Sequence, residues 1–360
     1  MDYTELSFDR LSDFDRQGQE AVLAIYRSGG IELDPQIKER YVLRKAGQII
    51  GTAGLAGRSL RSIAVAPEFE GQGYTAYMLS RVKDKLILED ANAPIFISTK
   101  SEEADKFIAL GFSKLALVEN EPGLRGSALL YHPQAAFPAY LKKLQDESFE
   151  RLNKYKPKLN ESSALVMNLN PLTKGHLKLI DLALAESAVL HLFILSAEAS
   201  SFPFALRRKI LTEVAKSRPR LIVHETGPWL ISLESFPGYF YSDTEEALRS
   251  QAALDEAVFA QIATALKIGR RYLGTEELSW ETSIYNQTLL ARAKNYELVL
   301  VERFCSPDGK IISASRARAI LAEAQSSGLK SEQLEELKEI LPEESLAIIL
   351  KEYSELKGLR

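Results

Sequence analysis

Short apolar runs alternate with amphipathic stretches along most of the chain, and this alternation predicts a mixed α/β protein. In the first third, apolar runs indicate four strands, and the turn Ala46-Gly47 joins the first two as in an antiparallel hairpin. Helices are expected from about residue 74 to 90 and from 102 to 110, where Gly111 would provide a C-cap. The order indicates one sheet with helices packed on it. The four predicted strands are residues 41–45, 48–55, 62–66 and 95–99.

A regular alternation of strand and helix patterns begins near residue 163. The apolar runs are short and rich in leucine or β-branched residues, as expected of strands buried on both faces. Helical patterns lie between them, including 244–266. This order predicts a doubly wound parallel sheet that binds its ligand at the carboxyl ends of the strands. The predicted strands are residues 164–167, 189–195, 221–223 and 298–301.

The boundary between these patterns lies in a helical, charged segment. Residues 133–155 form a helical pattern, and Lys-Tyr-Lys-Pro-Lys at 154–158 ends it with charge and a proline. We therefore expect three parts: a mixed-sheet domain of residues 1–135, a helical linker of residues 136–162, and a parallel-sheet domain of residues 163–360 with C-terminal helices.

Composition narrows the class of protein. Of the 360 residues, 46% are hydrophobic and 26% are charged, which is typical of a soluble globular protein. The net charge of −4 argues against a nucleic-acid partner. Cys305 is the single cysteine, so neither an internal disulfide nor a metal site built on several thiolates is expected. The acidic N-terminal residues and the lack of an apolar run of about 20 residues predict a cytoplasmic protein with no membrane partner.

The segment 168–176 reads Asn-Leu-Asn-Pro-Leu-Thr-Lys-Gly-His and joins a predicted strand to a predicted helix. A helix N-terminus offers unpaired N–H groups and a positive dipole end, so phosphate binds there readily. Gly175 would let the backbone approach a ligand, and His176 would add a side-chain donor that a polyphosphate favours in its protonated form. A lone histidine at a helix start is more often a cap or packing residue, so a partner motif is needed.

A second candidate anion site lies at 312–318, Ile-Ser-Ala-Ser-Arg-Ala-Arg, where another helix is expected to begin. Ser313 and Ser315 alone would be ordinary capping residues, with exposed arginines after them. Together, however, Pro-x-Thr-x-Gly-His and Ile-Ser-x-Ser-x-x-Arg resemble the nucleotidyltransferase superfamily. Its members break ATP or CTP between the α and β phosphates on a doubly wound sheet. Thr173 stands where many members have a first histidine. Several adenylyl-transferring branches of the superfamily also have a threonine there, so the resemblance favours ATP over CTP.

The resemblance implies roles for particular residues. His176 and Arg318 would neutralise the charge that builds up on the phosphates, while Thr173 and Lys174 would assist. The residues implied to bind ATP are Asn170, Gly175, Ser313, Ser315, Gly274, Thr275 and Glu276.

The N-terminal part resembles a different family. Residues 65–75, Val-Ala-Pro-Glu-Phe-Glu-Gly-Gln-Gly-Tyr-Thr, and residues 104–112 are similar to the GNAT acetyltransferase family, in which a glycine-rich turn and a helix N-terminus hold the pyrophosphate of acetyl-CoA. Gly71 and Gly73 would then bind a CoA-like group. Glu70 stands where the family usually has glutamine or arginine, and its carboxylate would repel pyrophosphate. A fold kept for binding a partner or a CoA-like group is therefore favoured over acetyl-CoA-dependent catalysis.

Four segments in fixed order, after the GNAT-like part, extend the resemblance to the whole chain. Together they are similar to the citrate lyase ligase family. Between them, Arg207 and Arg208 are expected on a solvated helix face, with a role in a substrate site as the alternative. The segments are Asn-Pro-Leu-Thr-Lys-Gly-His at 170–176, Gly-Thr-Glu at 274–276, Ile-Tyr-Asn-Gln at 284–287 and Ile-Ser-Ala-Ser-Arg at 312–316.

The resemblance implies an activity. ATP, bound with Mg²⁺, and acetate would form acetyl-adenylate, and the acetyl group would pass to the thiol of a CoA-derived prosthetic group on the acyl carrier subunit of citrate lyase. Two alternatives remain open. One is nucleotidyl transfer to a phosphate-bearing acceptor, and the other is an acetyl-CoA-dependent acetyltransferase fused to a nucleotide-binding module.

Overall fold

The computed structural model describes residues 5–31, 33–158, 160–196, 201–230, 244–275, 280–304 and 312–358. Glu276 and Cys305, both considered above, lie outside the described residues. The chain divides into two compact units, which are Met1–Tyr140 with Phe236–Ala257, and Leu141–Ser235 with Val258–Arg360.

The first unit is built on a mixed sheet. Its described strands are β1 (Leu6–Arg10), β2 (Glu39–Lys45), β3 (Gln48–Ala56), β4 (Ser59–Val65), β5 (Ile95–Lys100), β6 (Ser113–Val118) and β7 (Ser127–His132). They are ordered β1-β2-β3-β4-β5-β7-β6, and β4 and β5 pair in parallel while the other neighbouring pairs are antiparallel. Its helices are α1 (Arg16–Ser28), α2 (Tyr74–Glu89) and α3 (Ala104–Ile108).

Local sequence explains the two most clearly predicted elements of this unit. The predicted hairpin is β2–β3, and both of its turn residues have a positive φ, +48° at Ala46 and +82° at Gly47, as a type I′ turn requires. Helix α2 buries Met78, Val82 and Leu86 at four-residue spacing. This single apolar face packs on the sheet, and each such side chain contributes about 1.5–3 kcal/mol when it is fully buried.

The second unit contains a five-stranded sheet in which every pairing is parallel. Its strands are β8 (Ser162–Met167), β9 (Val189–Ile194), β10 (Leu221–Glu225), β11 (Arg270–Gly274) and β12 (Glu297–Val301). The described helices are α4 (Ala136–Tyr155), α5 (Lys174–Ala185), α6 (Phe204–Ala215), α7 (Thr244–Leu266), α8 (Trp280–Arg292), α9 (Ala314–Ser327), α10 (Ser331–Ile340) and α11 (Glu343–Gly358), of which α4 and α7 belong in part to the first unit.

The strand order β10-β9-β8-β11-β12 fixes where a ligand should bind. The chain runs outward from β8 to β10 on one side and then returns to add β11 and β12 on the other. The carboxyl ends of β8 and β11 therefore meet at the point where the winding reverses, and such points are the usual ligand sites of doubly wound sheets. The predicted fold class, a mixed-sheet α/β part followed by a parallel sheet, is confirmed.

The division into units differs from the predicted boundaries at residues 135 and 163, because one unit ends within α4 and the start of α7 belongs to the first unit. Two contacts explain the second difference. The Ser250 hydroxyl donates to the Arg125 carbonyl over 3.2 Å, and Arg125 Nε lies 3.1 Å from a carboxylate oxygen of Glu246. Hydrophobic periodicity marks the helix, but it does not reveal these polar contacts between distant segments.

Two buried histidines beside β9 and β10 and a partly exposed glutamate form a polar chain, which we call the buried histidine chain. The Glu147 carboxylate accepts from His224 Nδ1 over 2.7 Å, and His224 Nε2 lies 3.0 Å from Nδ1 of His191. Both imidazoles are almost fully buried, and within the described structure Nε2 of His191 has no hydrogen-bond partner. Burial lowers the pKa of both histidines.

Across the described residues, no helix combines the length and the hydrophobicity of a membrane span.

Candidate active site

A cleft of about 580 Å³ opens in the second unit where β8, β11 and β12 end. It is lined by the residues that follow these strands and by the first residues of α5 and α9. Nine of the predicted site residues line it, namely Asn170, Thr173, Gly175, His176, Gly274, Thr275, Ser313, Ser315 and Arg318.

The start of α5 is closed by a reciprocal cap between Thr173 and His176. The Thr173 hydroxyl accepts from the His176 backbone N–H over 3.3 Å, and the Thr173 backbone N–H donates to His176 Nδ1 over 3.1 Å. The same hydroxyl lies 3.0 Å from Nδ1. Thr173 would have to leave this cap to donate to a phosphate, so in the structure it orients the histidine.

These contacts also decide the form of the imidazole. Nδ1 of His176 faces a backbone N–H and must therefore accept, which leaves the proton on Nε2. Burial, and to a lesser degree the positive charge of Arg303, lower the pKa of His176 to about 4. The protein's own groups therefore favour a neutral imidazole that donates through Nε2, and the protonation of His176 beside a polyphosphate stays a prediction.

Arg318 links α9 to the segment after β8. Its Nη1 donates to the Asn170 carbonyl over 2.6 Å, and its Nη2 donates to the Ser315 hydroxyl over 2.8 Å. Arg316, two residues earlier, turns to a different partner and forms a bidentate ion pair with Glu336 at 2.5 and 2.7 Å. The sequence motif contains both arginines, but of these two only Arg318 lines the cleft.

The N-terminus of α9 is open towards the cleft. Ser313 occupies the N-cap position, yet its hydroxyl makes no capping bond. The first N–H groups of a helix have no intrahelical acceptor, so α9 presents unpaired donors beside a hydroxyl at the cleft wall. Ser313 therefore stands at the N-cap position without a capping bond from its side chain, and its role in binding ATP stays a prediction.

Glycine at position 175 is not required by the packing of the protein. A Cβ added there would lie 3.6 Å from Thr173 Oγ1 and 3.7 Å from the Ile312 side chain, which are ordinary contacts. The short distance to Ile312 shows that the start of α5 lies next to the residue that precedes α9.

Hydrogen bonds hold the end of β11 in place. The Thr275 backbone N–H donates to the Val301 carbonyl over 2.9 Å, and the Asn286 side chain donates to the Gly274 carbonyl over 3.3 Å.

Arg207 is completely buried and supports the segment after β8, which corrects the expectation that it lies on a solvated face. Its Nη1 donates to the Asn168 carbonyl over 2.8 Å, to the Asn168 side-chain oxygen over 2.9 Å and to the Leu195 carbonyl over 2.8 Å. Its Nε donates to the Phe202 carbonyl over 3.0 Å. Arg208 is mostly exposed and pairs with Glu225, as expected of a surface arginine.

Several residues of the predicted site are not part of this cleft. Lys174 begins α5 but does not line the cleft. Gly71 and Gly73 belong to the first unit, in the exposed turn before α2, with φ values of +73° and +81° that side chains other than glycine rarely adopt. Gly73 is the N-cap of α2 and supplies no side-chain cap, so the first N–H groups of this helix are open as well.

Four polar or aromatic cleft residues were missed by the sequence reasoning. Three of them directly follow the predicted strand 298–301, and the rule that singled out 168–176 after another strand would have found them as well. The fourth lies on α8, and no sequence signal indicates it. The missed residues are Glu302, Arg303, Phe304 and Thr282.

Comparisons with known proteins found both similar structures and similar sequences. Solved structures similar to the N-terminal part include Escherichia coli ElaA, with 9% identity, a TM-score of 0.31 and coverage of 36% of this chain and 99% of that one. Another is a protein from Desulfovibrio desulfuricans described as a GNAT family acetyltransferase, with 16% identity, a TM-score of 0.29 and coverage of 35% and 97%.

Similar sequences cover most of the chain. The [citrate [pro-3S]-lyase] ligase of Escherichia coli K12 is 29% identical over 323 residues, which are 88% of both chains. The enzyme of the same name from Haemophilus influenzae is 28% identical over 335 residues, 88% of this chain and 93% of the relative. The profile described as the citrate lyase ligase C-terminal domain matches residues 162–349, which include the whole described cleft. Because this match spans more than half of the chain, the resemblance drawn from the four motifs is confirmed, and the chain belongs to the citrate lyase ligase family.

Proposed function

We propose that the cleft activates acetate with ATP, and that the protein then transfers the acetyl group to the thiol of a CoA-derived prosthetic group on the acyl carrier subunit of citrate lyase. The names of the relatives support the partner. The observation that carries the chemistry is the meeting of two helix N-termini, those of α5 and α9, with a neutral histidine donor and an arginine in one cleft.

In the first step, an acetate oxygen attacks the α phosphorus of ATP, the bond to the bridging oxygen of the β phosphate breaks, and pyrophosphate leaves. Acetate is ionised at neutral pH, since carboxyl groups have pKa values near 4, and it needs no general base. The protein therefore has to position the two anions and stabilise the charge that moves to the leaving group. A cleft rich in donors suits that task.

The donors have separate roles. His176 donates through Nε2 to a phosphate oxygen, held in that tautomer by the Thr173 backbone N–H. Arg318 supplies a positive charge from α9, and Ser313 with the open N–H groups of α9 supplies neutral donors. Thr173 acts as a positioning residue, and Gly175 leaves room for the nucleotide next to the backbone.

Magnesium would enter as part of the substrate. Among the residues that the structure describes, no group of three or more histidine, cysteine or acidic side chains could hold a metal ion. Glu302 is the carboxylate among the described cleft residues. This donor set fits Mg²⁺ that is coordinated mainly by phosphate oxygens and water, as is usual in nucleotide sites.

In the second step, the thiolate of the carrier attacks the acyl carbon of acetyl-adenylate, a thioester forms and AMP leaves. The thiol comes from the partner, so Cys305 is not needed. We assign the open turn at Gly71 and Gly73 to the phosphate-bearing prosthetic arm of the carrier, because the uncapped start of α2 offers backbone donors to an anion.

The first step is tested with His176→Ala. Exchange of labelled pyrophosphate into ATP should depend on acetate in the wild type and should disappear in the variant, because the donor at the phosphates is lost. The control is His132→Ala, which removes a histidine of the first unit. Full exchange in His176→Ala would overturn the assignment. Pyrophosphate release without any carboxylic acid would instead favour nucleotidyl transfer to a phosphate acceptor, and acetyl-CoA consumption without ATP would favour an acetyltransferase.

The proposed binding of the carrier's prosthetic arm at the turn before α2 is tested with Thr75→Glu. A carboxylate in the first turn of α2 favours the helix through its dipole and repels a phosphate. We expect normal pyrophosphate exchange but slower acetylation of the carrier, while Thr75→Gln should behave like the wild type. Wild-type rates of carrier acetylation in Thr75→Glu would show that the turn does not bind the arm.

A further inference from the structure

Arg303 is placed in the cleft by the pairing of β11 with β12. Gly274 is in register with Val301, and the Thr275 N–H donates to the Val301 carbonyl over 2.9 Å, which keeps both strand ends side by side. The chain then continues past the sheet edge through Glu302 and Arg303. Arg303 is exposed and lines the same cleft as His176.

The charged groups of the described cleft are few. Arg303 and Arg318 are its arginines, and Glu302 is its carboxylate. Lys174 and Lys178, on the helix of His176, do not line it. Arg318 is held to the segment after β8 and to α9 by its two hydrogen bonds, so it acts from one side only. Two arginines are needed if the several charges of a polyphosphate are to be balanced, because the histidine is neutral.

We infer that Arg303 is a second catalytic arginine, which binds the pyrophosphate leaving group from the end of β12 while Arg318 acts from α9. This inference rests on the proposed function. Neither the family resemblance nor the sequence motifs assign Arg303, and its position at the carboxyl edge of β12 carries the argument.

A second consequence concerns His176. The charge of Arg303 is one cause of the low pKa of the imidazole, after burial. A Coulomb effect of this kind requires the guanidinium to lie near the imidazole. Arg303 thus supplies positive charge for the phosphates and adds to the effect of burial, which is the larger cause of the low pKa of His176.

The first test is calorimetric titration of inorganic pyrophosphate into the full-length protein at pH 7.5. Arg303→Gln should weaken binding about tenfold or more, the loss expected for one charge-assisted hydrogen bond. Arg303→Lys should recover part of the affinity. The matched control is Arg316→Gln, since Arg316 is paired with Glu336 away from the cleft and should not affect binding. Equal affinities of the wild type and Arg303→Gln would overturn the inference.

The second test follows the His176 imidazole by NMR from pH 8 to pH 5. Its resonances should stay flat in the wild type and in Arg303→Lys, and should begin to titrate in Arg303→Gln, because removing the charge raises the pKa. A purely structural role would not separate lysine from glutamine. Identical titrations in both variants would contradict the inference.

These two tests do not depend on catalysis. If pyrophosphate binding needs Arg303 but the wild type shows no acetate-dependent exchange, the proposed reaction is wrong and the anion site is retained. If exchange is normal and Arg303→Gln binds pyrophosphate as the wild type does, the role of Arg303 is wrong and the reaction is retained.

Discussion

Replacing Thr173 with valine tests whether this residue orients His176 or contacts the substrate. Thr173 is buried, with 2% of its surface exposed, and valine has nearly the same shape. The change removes the acceptor of the His176 N–H and the hydroxyl beside Nδ1. It keeps the backbone N–H that donates to Nδ1, so Nε2 keeps its proton.

The expected magnitude follows from these contacts. Loss of a helix N-cap side chain costs about 1 kcal/mol, with a range of about 0.5–2. For a unit of this size, each kcal/mol lowers the melting temperature by roughly 2–4 °C. Thr173→Val should therefore melt about 1–8 °C lower, with about 2–4 °C for a cost of about 1 kcal/mol. Its exchange rate should fall less than about tenfold, because the donor tautomer is retained.

Scanning calorimetry and acetate-dependent pyrophosphate exchange, both measured with Thr173→Ser as the control, decide the matter. Thr173→Ser keeps the hydroxyl and should melt and react nearly as the wild type does. A Thr173→Val variant that melts like the wild type would refute the capping role. A variant that is well folded but as inactive as His176→Ala would show that the hydroxyl touches the substrate.

Three further predictions concern space, charge and pH. Gly175→Ala should fold normally, since the new methyl group makes only ordinary contacts with Ile312, but it should raise the KM for ATP several-fold; an unchanged KM would mean that no nucleotide passes there. Arg207→Met should lose about 3 kcal/mol or more of unfolding free energy in urea titrations, because it removes a buried charge that donates to four acceptors, one buried and three partly buried. The exposed pair removed by Arg208→Met should cost under about 1 kcal/mol, and equal losses would contradict the role of the Arg207 network. In the buried histidine chain, burial lowers the pKa of both imidazoles below the value of about 6.5 that they have in an unfolded chain. Below about pH 6.5 the unfolded state therefore binds more protons than the folded state does. Stability should thus be full above pH 6.5 and fall below it by up to about 1.4 kcal/mol per pH unit for each histidine, and equal urea midpoints at pH 7 and pH 5 would be inconsistent with this burial.

Hydrophobic periodicity predicted the elements that have a continuous apolar face. The strands β8 and β9 and the helix α2 are of this kind, and their side chains form the two main cores. The same signal did not single out β1 or α1. In β1 only alternate residues are partly buried, and in α1 the apolar residues form one short run, residues 21–25, between polar ends.

The candidate site was predictable to the extent that it follows local rules. The motif residues Thr173, His176 and Arg318 lie at helix starts, where a sequence motif and the geometry of the chain coincide. The protonation of His176 was not predictable, because it depends on a backbone donor and on the burial of the site. Arg207 was misjudged because its acceptors are carbonyls of three separate segments, and a single sequence does not show that these segments meet.

The most direct test of the central claim uses acetate labelled with ¹⁸O in both carboxylate oxygens, together with ATP and the acyl carrier that bears its prosthetic thiol. If the acetate oxygen attacks the α phosphorus and the thiol then releases AMP, one labelled oxygen must remain on the phosphate of AMP. Mass spectrometry of the products should therefore find one ¹⁸O in AMP and none in pyrophosphate. Unlabelled AMP accompanied by an acetylated carrier would contradict the acetyl-adenylate route.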